Sequence, residues 1–236
     1  MSKKMVRKII ESDNLAIERL LKRRNQIYTF LNPVSYLTAR RNEELFGQFD
    51  GILVDGSFLA VAIRLLYGKV IKRRSFDMTS VALSLFHHAQ SKYKSIYIIG
   101  ARQRQIEQSV KILRNQYPKI RITGYRNGYL SSIDEMKRTC EEVIHMNPDY
   151  VIAGMGTPLQ EMFLLQLKNC GYKGIGFTCG GFISQLSMKG IAYYPKWANK
   201  YNIRFLYRFC KERHTRKRYM RAFISFPFYF IRDKLK

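Results

Sequence analysis

Asp55 is the residue whose setting points most directly to chemistry. It follows the apolar run Ile52-Leu53-Val54 and precedes Gly56. A carboxylate at a strand end can take the proton from a hydroxyl within hydrogen-bond reach. Asp-Gly is also a common turn pair, and taken alone the pair favours the plainer reading of a turn aspartate capping a helix. Lys72, Arg73 and Arg74 come next, followed by Asp77. Their side chains can grip a diphosphate, because guanidinium forks match phosphate oxygens, or they can line a solvated charged loop. Gly154, Met155, Gly156 and Thr157 bring backbone N–H groups to a helix start, a natural anion site. Gln160 and Glu161 fall in the first turn beyond it, as hydrogen-bonding groups for a sugar or base or as solvated or capping residues. Gly180-Gly181 either lets backbone approach a ligand closely or forms a tight turn.

Other chemistries find no support. There is no full G-x-G-x-x-G and no G-x-x-x-x-G-K, so a dinucleotide or ATP site of the usual kind is not expected. His87, His88, His145 and His214 lack metal-ligand spacing. The four cysteines form no C-x-x-C pair and read as reduced thiols. No G-x-S-x-G occurs, and neither a metal nor a cofactor is expected.

The elements that must position these residues alternate between strand and helix patterns. Strands are expected at 52–54, 95–100, 120–123, 149–153 and 174–177, and Gly100, Gly156 and Gly180 each lie just after one. Residues 103–117 keep Ile106, Val110 and Leu113 on one side of a helix. A second helix runs over 131–146, capped by Ser131 or Ser132, and a loop is expected at 124–128. Thr157 reads as the cap, and Pro158 as the first-turn residue, of a helix ending near Asn169. The alternation predicts an α/β fold, a Rossmann-like parallel sheet flanked by helices, with ligands beyond the carboxyl ends of the strands.

Near residue 196 the alternation gives way to a basic, aromatic segment. Residues 1–195 are expected to form the α/β domain and 196–236 an appendage. In 204–232, basic residues including Arg208, Arg216 and Arg218 interleave with aromatics, the composition of a membrane-surface element. The whole chain of 236 residues carries 42 Lys and Arg against 17 Asp and Glu, a formal charge of +25, which implies an anionic partner. No apolar run approaches the ~20 residues that span a bilayer. The N-terminus lacks the long apolar region of a secretory signal.

The order of these signals is more specific than any one of them. It resembles the bacterial glycosyltransferase family named after the WecG, TagA and CpsF proteins, over roughly residues 28 to 221. Asn32 matches its T-x-N element, and Asp55-Gly56 an Asp-Gly after a strand. Lys72 to Asp77 match a basic stretch leading to an aspartate, and Gly100 a strand ending in glycine. Gly124, Tyr125, Gly128 and Tyr129 match a G-Y loop, and Gly154 to Glu161 its G-x-G-x-P-x-Q-E. Ala192, Pro195 and Trp197 are similar to A-P-x-W, Phe205 to Arg208 to W-L-Y-R, and Arg218-Tyr219 to R-Y. The departures are Phe30 for the threonine of T-x-N, Leu159 inside P-K-Q-E, Ile183 or Ser184 for an aspartate, Arg204-Phe205 for E-W, and Arg213 for the proline of E-P.

The resemblance implies an inverting transfer of a sugar, of N-acetylmannosamine type or a related hexose, from a UDP-sugar to a polyprenyl-diphosphate-linked acceptor in cell-surface polysaccharide synthesis. Asp55 would be the base and Asn32 would position hydroxyls. Gln160 and Glu161 would bind sugar or nucleotide, with Gly56, Gly100, Gly154, Gly156, Thr157 and Gly180 lining the substrates. Lys72, Arg73, Arg208, Arg216 and Arg218 would neutralise diphosphate charge in place of a metal. The appendage would meet an anionic membrane from the cytoplasmic side; a homo-oligomer stays open. A basic nucleic-acid-binding protein is the alternative, although no helix-turn-helix, RRM or zinc pattern is present. A non-catalytic scaffold with a membrane-binding tail is a third reading.

Overall fold

The computed structural model describes residues 3–195, 198, 204–212 and 215–235. Six strands form one sheet: β1 (Gln26–Leu31), β2 (Gly51–Val54), β3 (Ser95–Gly100), β4 (Arg121–Arg126), β5 (Tyr150–Gly154) and β6 (Ile175–Thr178). Their order is β2-β1-β6-β5-β3-β4, and every pairing is parallel. The helices are α1 (Lys3–Asp13), α2 (Ile17–Leu20), α3 (Pro33–Ala39), α4 (Glu43–Gly47), α5 (Ser57–Tyr67), α6 (Val81–Ser91), α7 (Gln103–Gln116), α8 (Ile133–Met146), α9 (Leu159–Asn169), α10 (Phe182–Lys189), α11 (Arg204–Lys211) and α12 (Arg216–Leu235). The expected Rossmann-like α/β architecture is therefore present.

Helices cover both faces of the sheet, which is why the inner strands are apolar runs rather than alternating ones. On one face Ile98, Ile152 and Phe177 pack with Phe86, Val110 and Phe182. On the other, Tyr97, Ile99 and Val151 meet Cys140, Val143 and Phe163. A third cluster joins Leu31, Ile52 and Val54 to Ile9, Tyr36, Ile63, Phe226 and Phe230. The last two residues belong to α12, so the basic, aromatic segment is split. Phe226 and Phe230 are core residues, and only the outer face of α12 keeps its rings in solvent.

Three further expectations are revised. β1 is a central strand that periodicity did not flag. Its polar residue Thr29 is buried and hydrogen-bonded across the sheet to Thr178 and to Glu161. β4 extends through Gly124 and Tyr125, which were expected in a loop; it is an edge strand with partial exposure along its length. Pro158, not Thr157, occupies the cap position of α9, and no side chain caps that helix.

The topology places two crevices at the carboxyl edge. The chain leaves β3 toward β4 but leaves β5 toward β6, so β3 and β5 flank a reversal of winding, where open α/β sheets bind ligands. Gly100 aligns with Gly154 across this point. A Cβ on Gly100 would lie 2.4 Å from the Gly154 carbonyl oxygen, and its φ of +149° also suits glycine.

Candidate active site

The first crevice forms where β1, β2 and β6 end. Asn32 follows β1 and caps α3: its Oδ1 accepts from the N–H groups of Val34 and Ser35, both at 3.0 Å. The Ser35 hydroxyl accepts from the Asn32 N–H at 2.9 Å. With Oδ1 committed, the amide nitrogen is the group of Asn32 left to face the Asp55 carboxyl, whose pKa Asn32 lowers. The Asp55 N–H is pinned to the Leu31 carbonyl at 2.7 Å, which fixes it beside β1. The Asp55 residue is partly exposed, while its carboxyl is turned into the protein. Burial lifts its carboxyl above the ordinary carboxylate range; Arg73 pulls it back, Asp77 raises it, and Arg208 and the Asn32 amide lower it. A carboxylate whose surroundings raise its pKa is a stronger base when ionised, and the flanking cations favour the ionised form.

The cations come from two distant parts of the chain. Arg73 donates to the Ser75 hydroxyl at 2.7 Å and to Asp77 Oδ2 at 3.1 Å. Asp77 also accepts from Ser75, Thr79 and Arg204, so a residue on α11 is tied to the basic loop. These partners hold the Asp77 carboxyl below the usual range despite its burial. Arg208, also on α11, makes a two-point contact with Glu212, at 3.0 and 3.1 Å. Glu212 is held in turn by the Tyr193 hydroxyl at 2.6 Å. The Arg208 guanidinium lies over the Gly180-Gly181 loop, 3.3 Å from where a Gly181 Cβ would stand. The phenols of Tyr194 and Tyr219 are pushed upward by burial, lowered by Arg208 and raised by Asp55, which places both in the same group.

The second crevice, at the reversal of winding, encloses about 480 Å³ between Ala101, Gly128, Tyr129, Ser131, Gly154 and Met155. A buried network joins it to the first. Gln160 and Glu161 are not solvated: they are 3% and 0% exposed. Glu161 Oε1 accepts from Thr29 and from Gln160, both at 2.9 Å, while Gln160 Oε1 accepts from the Gly180 N–H at 3.2 Å. Thr157 turns its hydroxyl toward Glu161 at 3.5 Å. Burial raises the Glu161 carboxyl. Gln160 thus faces the Gly180 loop, and Glu161 braces β1, β6 and α9.

The structure brings Asn32, Gly56, Arg73 and Arg208 close to Asp55, with the Gly180-Gly181 loop beneath Arg208, and places Gly154 in the lining of the second crevice with Gly100 beside it. Gly56, Gly156 and Gly180 all have positive φ. Arg216 does not join them: its guanidinium donates to the carbonyls of Phe209 and Cys210, both at 2.9 Å, closing the end of α11. Lys72 and Arg218 are exposed. Arg218 lies near Tyr219, and Lys72 contacts Asp13 through its backbone N–H. Trp197, Arg213 and His214 lie outside the described residues. His87 and His88 pack edge-on against Tyr117 and Tyr150, as structural residues. Sequence reasoning did not assign Asp77, Tyr194, Glu212, Tyr219 or Tyr129 to the site. The family resemblance touched Asp77, Tyr129, Glu212 and Tyr219 as motif positions without giving them a role, and only the fold brings Asp77 and Tyr219 near Asp55.

The fold is thus a doubly wound α/β sheet with Asp55 at a strand end, Arg73 and Arg208 near it, and a second crevice at the winding reversal. The sequence profile described as the glycosyl transferase WecG/TagA/CpsF family matches residues 10–236. A relative from Shigella boydii, a UDP-Gal:alpha-D-GlcNAc-diphosphoundecaprenol beta-1,4-galactosyltransferase, is 37% identical over 218 residues, 92% of this chain and 90% of that one. The N-acetylglucosaminyldiphosphoundecaprenol N-acetyl-beta-D-mannosaminyltransferase of Bacillus subtilis is 25% identical over 77% of this chain and 70% of its own. Its Staphylococcus aureus counterpart is 26% identical over 75% and 68%. The chain belongs to this family and is a glycosyltransferase.

Proposed function

We propose that the chain transfers a hexosyl group, of galactosyl type, from a UDP-sugar to an N-acetylglucosaminyl-diphosphate polyprenol, with inversion at the anomeric carbon. The observation that supports this reading best is that Arg73, tied to Asp77, and Arg208, tied to Glu212, are held near enough to Asp55 to lower its carboxyl pKa. The relative with 37% identity, a galactosyltransferase using such an acceptor, supports the sugar class over the mannosaminyl donors of the more distant relatives.

The chemistry follows from the groups present. The ionised Asp55 accepts the proton of the acceptor hydroxyl as that oxygen bonds to C1 of the donor. The bond from C1 to the diphosphate oxygen breaks, and its electron pair leaves with UDP. Arg73 and Arg208 offset the charge gathering on the diphosphate in a partly dry crevice, where such stabilisation is strongest. Asn32 orients Asp55 through its amide. The crevice between Ala101 and Met155 suits the nucleoside, with the Tyr129 ring available to stack on the base. The acceptor's lipid would hold the enzyme at the inner face of the membrane as a peripheral protein. No helix among the described residues is long and apolar enough to cross a bilayer.

The test is a panel of UDP-hexoses assayed with a polyprenyl-diphosphate N-acetylglucosamine acceptor, reading released UDP. Turnover with UDP-galactose is expected. Folded protein in the presence of lipid that releases no UDP from any donor overturns the reading.

A further inference from the structure

Helices α5 and α12 carry an apolar surface that the fold leaves uncovered. On α5, Leu59 and Ile63 are buried, while Phe58, Val61 and Leu65 share the outer face at i, i+3 and i+7. Leu65 is 78% exposed. On α12, Phe226 and Phe230 enter the core and Met220, Phe223, Ile224, Phe228 and Ile231 stay in solvent. The two stripes meet where the rings of Phe58 and Phe223 lie 6.2 Å apart. A joined apolar surface of this kind marks an interaction site.

Charge and position say what covers it. Arg64 on α5, Lys69 and Lys72 just beyond it, and Arg221 and Arg232 on α12 are all exposed. The one acidic residue of the two helices, Asp233, is buried and paired with Arg40. A second copy docked on this face would set cations against cations on a chain of formal charge +25. An anionic lipid surface satisfies both the apolar stripe and its basic margin. The surface also starts beside the site: Phe58 is three residues after Asp55, and Phe223 is one helical turn after Tyr219, which senses Asp55.

We propose that α5 and α12 together form the platform that docks on an anionic bilayer, so that part of the docking surface belongs to α5, beside the sheet, rather than to the C-terminal appendage. It rests on the proposed function only in that a lipid-linked acceptor is what the platform would serve.

The experiment uses the full chain and co-sedimentation with phosphatidylethanolamine/phosphatidylglycerol vesicles, with phosphatidylcholine vesicles as the uncharged control. Val61→Glu/Leu65→Glu is expected to weaken binding to the anionic vesicles by roughly tenfold or more. Thermal unfolding and turnover of a short-chain, water-soluble acceptor should be unchanged. Leu65→Gln, a milder change at an exposed site, should weaken binding in the same direction. Parent-like vesicle affinity in a folded α5 variant overturns the platform and leaves the appendage as the sole anchor. A parent dimer that the α5 variant dissociates, with vesicle affinity unchanged, also overturns it. Absence of turnover with either acceptor sinks the proposed function instead, while the vesicle result still decides the platform.

Discussion

Asp233 on α12 accepts two hydrogen bonds from Arg40, at 2.8 and 2.9 Å. The Tyr36 hydroxyl adds a third, at 2.6 Å, to the same carboxylate. Tyr36 lies on α3, whose cap is Asn32, and the Asn32 amide reaches Asp55. One helix therefore links the last turn of the chain to the proposed base.

Asp233→Ala should cost roughly 2–4 kcal/mol, because it strands a largely buried guanidinium and a buried phenol. Arg40 holds the Asp233 carboxyl well below its ordinary range. A depressed folded-state value gives stability that is complete above the unfolded carboxylate pKa and is lost as pH falls toward the folded one. Denaturant unfolding of parent and variant should therefore differ most near neutrality and converge in strong acid. A gap that persists unchanged at low pH would show that the pair's charge is not its source.

Asp55→Asn should lower kcat by roughly 10²–10⁴ while the protein stays folded. The base works only when ionised, so activity falls as pH drops through its pKa. Burial has raised that value, so the acid limb should lie above the range of a free carboxylate. Arg73→Gln removes a cation that holds the value down, and should move the limb to higher pH. A pH–rate profile of kcat/KM checks both; an acid limb unmoved by Arg73→Gln would separate Asp55 from the titration.

Glu212 holds Arg208 through two hydrogen bonds, so in the proposed mechanism it would act through that cation rather than on substrate. Glu212→Gln keeps the shape but removes one charge-assisted pair, an interaction of about 1.5–3 kcal/mol. Arg208 should then lose its fixed place over the Gly181 loop. The expected result is a loss in kcat/KM of about tenfold or more, with an acid limb displaced from the parent's because Arg208 helps hold Asp55 down. Full activity in Glu212→Gln would reduce Glu212 to an anchor for Tyr193.

Five strands were readable: β2, β3, β5 and β6 as apolar runs closed by Asp55-Gly56, Gly100, the Gly154 loop and Gly180, and β4 through its first residues, Arg121 to Thr123. β1 was not, since the burial of Thr29 depends on Glu161, which is 132 positions away. Asp55 was legible as a strand-end carboxylate, and Asn32, Arg73 and Arg208 were named for the site through the family resemblance, but residue spacing alone did not bring them to Asp55. Arg208 and Tyr219 reach it only because α11 and α12 fold back, and helical spacing alone does not say which aromatics of α12 face the core. Gln160 and Glu161 read either as groups that bind a sugar or base or as solvated or capping residues of a first helical turn; at 3% and 0% exposed, neither is solvated. Their burial follows from the packing of α9 against β1 and β6.

Gly128 offers a test of the second crevice that leaves Asp55 untouched. A Cβ there would lie 2.8 Å from Gly100 Cα and 2.8 Å from the Met155 side chain, both at the crevice floor. The Gly128 N–H also bonds the Ala101 carbonyl at 3.0 Å, clamping the loop that carries Tyr129 across the end of β3. Met155 can swing aside, but the Gly100 backbone cannot, so Gly128→Ala must push this loop outward. The mutation should cost about 1–3 kcal/mol of stability by overpacking. If the nucleoside sits here, UDP affinity measured by calorimetry should fall by roughly tenfold or more, since displaced loop groups no longer meet the ligand. Binding of UDP as tight as the parent's, in a variant whose unfolding shows the expected loss, would move the nucleotide to the crevice at Asp55.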